Sequence, residues 1–339
     1  MAGITHLEEF QSEALRGLVD ASAEDVQATE ADSFLPTRQT YDRKFAYQIV
    51  KNTPQIGAYI GYGAEPPVVD RNAVASMADE IAYYGLKDIV TYEELQAINE
   101  SRNNQEFQAM IDTLVSKGVN LIDSLRKLQQ LSKMEALCTG AHAYKKNNVS
   151  YTINYGIPEE NKIALTNGND FDSDDFDMIG FLLEQVEAYA FENNGKEPEV
   201  MWISREINAK MLRNTNIIAE SGRPSNSLRV SNEELATVLD NFGLPPVQII
   251  KNRSMTYKDI YTGEIVNHEF MPVNRIVMLS QGVGEYLEGP TLENNFQPGL
   301  FLDAYDKKEP IQSIFRAVGA GLPILEVPSL VRHLDVFTP

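Results

Sequence analysis

The sequence predicts a mixed α+β protein organised around one outsized helix, and three observations carry that expectation. Apolar residues from Phe107 to Leu137 recur at spacings of three and four with no proline among them. Short alternating or continuous apolar runs, bounded by glycine and proline, stand before and after that stretch. No internal repeat is visible, which excludes a solenoid or propeller. The 339 residues are enough for about two domains, each able to bury its own core.

The first 35 residues carry Glu8, Glu9, Glu13, Asp20, Glu24, Asp25, Glu30 and Asp32 against one base, Arg16. Leu7, Phe10, Ala14, Leu15 and Leu18 recur at helical spacing, so a short amphipathic helix is expected, followed by a small, polar connector over 21–33. Such an arm has too little apolar surface for a core of its own, and a neighbouring subunit is the expected surface that pins it. From Tyr41 the texture turns to β. Phe45, Tyr47 and Ile49 alternate, Thr53-Pro54 turns the chain, and the run from Ile56 through Tyr59, Tyr62 and Gly63 reaches Glu65-Pro66-Pro67. Glycine, tyrosine and paired proline at this density do not suit a central strand. A long two-stranded excursion is expected instead, returning through Ile81, Tyr83 and Leu86. Two strands are marginal alone in water, so it too needs a partner.

Residues 104–138 form the predicted long helix, about 50 Å from end to end. Gly118 is placed to bend it and Gly140 to end it. Its apolar pattern is not strictly heptad, so it suits a helix laid along a sheet better than a coiled coil. Strands are expected over 149–155 and 162–165, around a Gly156-Ile157-Pro158 turn. A helix over 174–192 has capping acids before it and Gly195 beyond it. A buried strand over 200–203, a helix over 204–212 and a loop over 221–227 precede a helix that Ser231 and Glu234 open as a capping box. Further strands are read over 247–250, 276–279, 299–302 and 322–336.

Charge and composition exclude several classes. With 29 Lys and Arg against 49 Asp and Glu the chain carries a formal charge of −20. A sequence-independent duplex binder gains affinity from clustered cations, so that class is excluded. A single cysteine, Cys138, allows no internal disulfide and no cysteine-cluster metal site, and suits a reducing compartment. The first ten residues lack a secretory pattern, and no apolar run approaches a membrane span, so a soluble, intracellular protein is expected.

Motif by motif, the chemistry is sparse. The acidic run 167–177 lacks the glycine and the closing glutamate of a calcium loop, with Asp175 and Phe181 in those places, so helix capping is expected. Gly282-Val283-Gly284 follows a strand, but Leu287 stands where a dinucleotide loop needs its third glycine, and Glu285 and Glu288 repel a pyrophosphate. The histidines, His6, His142, His268 and His333, stand in no metal-binding pattern. Cys138 lies on an apolar helix face, Trp202 reads as core, and Ser280 lacks the preceding glycine of a nucleophile elbow. No catalytic residue, cofactor or metal is expected, and the chain is read as a non-enzyme.

An acidic arm, a projecting β excursion, one very long helix and little chemistry occur here in a recognisable order. The stretches that carry the resemblance are Leu35-Pro36-Thr37-Arg38, the helix exit from Met134 to Gly140, the strands over 149–155 and 162–165, and the segment from Gly321 to Pro328 leading to Asp335-Val336-Phe337. In that order the chain resembles the major capsid proteins of tailed bacteriophages with the Hong Kong 97-type fold, most closely the lambda-like E family. The resemblance implies an N-arm over 1–48, an extended loop over 49–100, a peripheral domain over 101–166 and 318–339, and an axial domain over 167–317. The last strand would then return to the peripheral sheet.

It further implies self-assembly into hexamers and pentamers of an icosahedral shell in the virion, built in the host cytoplasm around packaged double-stranded DNA without sequence-specific binding. Portal and scaffold or decoration proteins would be partners, and no membrane would be involved. Tyr59, Tyr62, Pro66, Pro67 and Arg71 would overlap the adjacent subunit, with Leu7, Phe10 and Leu15 of the arm as further contacts. Two rivals stand beside this reading. One is an encapsulin-type compartment, which shares the fold. The other is an α/β enzyme with a ligand site within 167–317, near 282–289.

Overall fold

The computed structural model describes residues 3–24, 29–42, 44–50, 73–101, 103–146, 149–166, 168–224 and 226–339. In chain order these form α1 (Ser12–Glu24), β1 (Thr37–Gln39), β2 (Lys44–Val50), β3 (Ala73–Glu80), β4 (Tyr83–Val90), α2 (Tyr92–Asn99) and α3 (Asn104–Thr139). There follow β5 (Ala141–Lys146), β6 (Val149–Asn154), β7 (Lys162–Ala164), α4 (Met178–Glu192), β8 (Val200–Ile203), α5 (Arg205–Met211), α6 (Thr215–Glu220) and α7 (Asn232–Asn241). The remainder is β9 (Val247–Ile249), β10 (Ser254–Lys258), β11 (Ile265–Glu269), β12 (Arg275–Leu279), β13 (Gly284–Glu288), β14 (Phe301–Lys307), β15 (Gln312–Leu325) and β16 (Val331–Asp335).

The long helix is continuous over 36 residues. Asn103 caps its start by accepting from the Glu106 amide at 2.8 Å, and Gly140 ends it in the left-handed region at φ 70°. Gly118 does not interrupt the helix. A Cβ there would stand 3.2 Å from Leu302, so the glycine makes room for β14 to pack closely.

Two five-stranded sheets flank this helix. In the first, β15 pairs antiparallel with β4, with β14 and, towards its end, with β13, which β1 joins in parallel. The second runs β7-β16-β12-β8-β9. Here the structure corrects the expected boundaries. The final strand does not return to the sheet beside α3, because β16 lies between β12 and β7 in the second sheet. Conversely β14 and the start of β15, expected in the 167–317 unit, pair with each other and with β4 alongside α3. Burial on both faces explains the exchange. Ile276, Met278 and Leu334 join the core beneath α4–α7, while Val277, Leu279 and Val331 join the core shared with α3, so apolar runs gave no cue to which sheet they enter.

Three apolar clusters result. The first packs the C-terminal end of α3, with Leu131 and Leu137, against Leu322 and Ile324 of β15 and Trp202 of β8. Trp202 is core as expected, with Phe34 edge-on at 5.4 Å. The second lies between the second sheet and α4–α7. The third joins the front of α3 to α1, α2, β4 and β14. Cys138 is fully buried, and burial pushes its thiol up to about 12, as suits an inert residue.

His333 supplies a pH dependence. It is 2% exposed, and its neutral ring donates Nε2–H to the Leu137 carbonyl at 2.7 Å. Burial, then the Arg275 and Lys162 charges, drive its pKa down to about 4 against 6.5 in the unfolded chain, with Asp335 opposing. Below pH 6.5 the unfolded chain takes up a proton that the native fold refuses, so stability falls as pH drops from 6.5 to 4 and the effect levels off below that. The full loss is about 3 kcal/mol. Chemical denaturation across that window measures it, and a His333→Gln chain is expected to show a shallower slope there than the parent.

Candidate assembly surfaces

The arm is built onto its own chain. Phe10 and Leu15 are 2% and 1% exposed within the third core, Leu7 packs against that core, and Phe10 meets Phe315 edge-on at 5.5 Å. Two cations of α3 hold the arm from below. Arg126 donates to the Val19 carbonyl at 2.9 Å and to the Ser22 carbonyl, satisfying the open C-terminal end of α1. Buried Lys133 reaches Asp32 at 2.6 Å and Thr37 at 3.2 Å, and lies over the Tyr286 ring. Burial would raise the Asp32 carboxyl, but Lys133 and the Thr29 amide outweigh it and hold the group below the ordinary carboxylate value. Within this chain the long helix and β14–β15 bury Phe10 and Leu15, while Leu7 stays half-buried at the edge of that core.

The excursion behaves differently. Strands β2 and β3 pair antiparallel from Lys44↔Glu80 to Val50↔Ala73 and form a two-stranded sheet outside both larger ones. Tyr59, Tyr62, Pro66, Pro67 and Arg71 lie outside the described residues. Where the excursion re-enters the body, Tyr84 accepts from Gln129 at 2.7 Å and meets the Tyr286 hydroxyl at 3.3 Å. Buried aromatic hydroxyls thus tie the root of the excursion to α3 and β13.

The segments weighed for chemistry turn out to be structural. In the acidic run, Asp170 accepts from the Asp172 amide at 3.0 Å, and Asp177 caps α4 through the Gly180 amide at 2.9 Å. Gly282, at φ 81°, turns the chain into β13, a strand and not the helix a pyrophosphate needs. A Cβ on Gly284 would stand 2.0 Å from the Ile324 carbonyl oxygen, so this glycine serves close strand pairing. A polar cleft of about 340 Å³ lies between α1, α3 and residues 294–302, lined by Arg16, Arg126, Gln129 and Glu288 among others, with no nucleophile beside a base.

Sequence reading missed one cluster. Both oxygens of buried Glu135 are taken by histidines, His142 Nδ1 on one and His268 Nε2 on the other. The carboxylate clasps hairpins β5–β6 and β10–β11 to the end of α3. Its members are 7 and 133 residues apart, so no local pattern reveals them. Among the described residues, no group of three His, Cys, Asp or Glu side chains could hold a metal ion. No described helix is long and apolar enough to cross a membrane.

A long helix across one sheet, a second sheet under its own helices and a two-stranded sheet apart from both together define an α+β fold of the Hong Kong 97 capsid type. The solved structures agree. A prophage protein of E. coli CFT073 assigned to the capsid has a TM-score of 0.61 at 12% identity, covering 96% of this chain and 98% of that one. A phage-related protein of Bordetella bronchiseptica RB50 has a TM-score of 0.55 at 10% identity, covering 95% and 97%. The model of the family described as phage major capsid protein E matches residues 22–295, and the chain belongs to that family. Comparison with the curated proteins gives no match. The protein is a structural component of a phage capsid, and the enzyme reading is not favoured.

Proposed function

We propose that this chain is the head-shell subunit of a tailed phage, assembling through hexamers and pentamers into an icosahedral shell around packaged double-stranded DNA. Family membership carries the reading, and the excursion adds to it. Among the described residues β2 and β3 pair with each other and with no third strand, and such a sheet needs a further surface to be stable in water, which an adjacent copy supplies. Tyr59, Tyr62, Pro66, Pro67 and Arg71 come between β2 and β3 in the sequence and are the proposed overlap contacts. Half-buried Leu7 of the arm is a further proposed contact, with Phe10 and Leu15, buried within this chain, holding the arm beneath it.

The peripheral unit is taken as α3 with β4, β14 and β15, and the axial unit as the second sheet with α4–α7. A net charge of −20 suits a container whose wall must not adsorb the phosphates it encloses. Assembly takes place in the host cytoplasm with portal and scaffold or decoration proteins as partners. Negative-stain microscopy of the expressed chain tests the reading: closed, uniform shells or regular capsomers support it, and a field of small compact particles contradicts it.

A further inference from the structure

Residues 290–298 form a closed surface loop that displays apolar side chains. The Phe296 amide donates to the Thr291 carbonyl at 2.9 Å, the Asn295 amide to the Leu292 carbonyl at 3.2 Å, and Pro290 bridges Pro298 across the neck. Within it Leu292 is 68% exposed and Phe296 63%. Asn295 and Phe296 are both left-handed, at φ 53° and 60°. Asparagine tolerates that region, but a phenylalanine there is an outlier whose backbone would be more relaxed as glycine. The fold thus holds a large ring in water on a strained backbone, and buried Thr291 anchors the turn beneath it. Strain kept at an exposed position points to a role outside the fold of the single chain.

The loop is not alone. Glu293, between the two apolar residues, accepts from the Tyr83 hydroxyl at 3.0 Å and pairs with Arg316 at 3.6 Å. Tyr83 is 57% exposed and opens β4, just after the excursion ends at Glu80. Loop and excursion root therefore form one surface, apolar in its exposed bulk. Glu293 is held by the Tyr83 hydroxyl and shares the Arg316 guanidinium with Asp303, which lies nearer at 3.0 Å.

We propose that Leu292, Phe296 and Tyr83 form a contact onto which a second copy of this chain docks. The inference rests on the shell reading above and names a surface for it on the rigid body. Charge selects the occupant. Two copies that each carry −20 repel over most of their surfaces, so they meet where exposed side chains are uncharged, as Leu292, Phe296 and Tyr83 are. It also continues from the root of the excursion that is proposed to lie across the adjacent subunit. Exposed aromatic anchors are among the residue types that dominate such contacts.

The test uses the full-length chain in three forms: unchanged, Leu292→Ser with Phe296→Gly, and Phe296→Tyr. Glycine at 296 relieves the strain while removing the ring, so the double variant is expected to keep the native circular dichroism and a thermal midpoint no lower than the parent. Light scattering should show its assembly concentration rising by about tenfold or more, with Phe296→Tyr close to the parent. Parent-like assembly of the double variant overturns this inference and leaves the shell reading standing. Assembly lost equally in Phe296→Tyr also overturns it, because the loop conformation and not the ring would then matter. A parent chain that never assembles ends both readings.

Discussion

Phe10→Ala is expected to destabilise the unassembled subunit by about 3–5 kcal/mol, the range for deleting a buried aromatic ring. Phe10 is fully inside the third core, edge-on to Phe315, and that core also holds Leu114, Ile122 and Leu125 of α3. A loss of that size is a large part of the stability of an ordinary domain. Denaturant unfolding at concentrations too low for assembly measures it. The experiment separates two pictures of the arm. If the arm were held only by a neighbouring copy, Phe10 would be in water in the solitary chain and the substitution would leave its stability unchanged. Because the same chain buries it, the effect should appear before any assembly, and assembly defects of arm variants should follow from weakened folding.

Gly284→Ala is the second large effect. The added Cβ would meet the Ile324 carbonyl oxygen at 2.0 Å, and the Ile324 carbonyl carbon and Leu325 Cα at 2.9 Å. All three are backbone atoms of the strand paired with β13, through Gly284↔Leu325 and Glu285↔Ile324. No side-chain rotation relieves the clash, so the two strands must separate at that end. The cost is expected at about 3 kcal/mol, the upper end for overpacking, with Val283 and Leu287 of the first core displaced along with β13. Thermal unfolding of the substituted chain checks it. Gly282→Ala is a useful comparison, since Gly282 has open space around it and only its φ of 81° opposes a side chain. A larger loss at Gly282 than at Gly284 would contradict the packing explanation.

Much of the fold was legible in the sequence because local rules act locally. The long helix followed from spacing, its end from Gly140, and the start of α7 from Ser231 and Glu234, which form the expected capping box at 2.6 and 3.2 Å. The order of elements sufficed to reach the family. Long-range partners were illegible. Nothing in the run 322–336 says that the chain turns at Pro328–Leu330 and crosses from one sheet to the other, since both halves carry apolar residues that suit either core. What holds the arm was illegible for a related reason. Amphipathic spacing shows that Phe10 and Leu15 must be buried, but not by which chain. The Glu135 clasp depends on a histidine from a distant hairpin, and the Leu292–Phe296 patch on backbone angles that composition does not encode.

The central claim is that a subunit whose arm and cores are complete within one chain builds a closed shell from copies of itself. Multi-angle light scattering on the purified chain, read as concentration rises, tests it most directly. A mass of 38.0 kDa or a single capsomer is expected at low concentration, then an abrupt passage to particles of megadalton mass with little between. A mass that stays at one chain, or at a small fixed oligomer, throughout the series would contradict it.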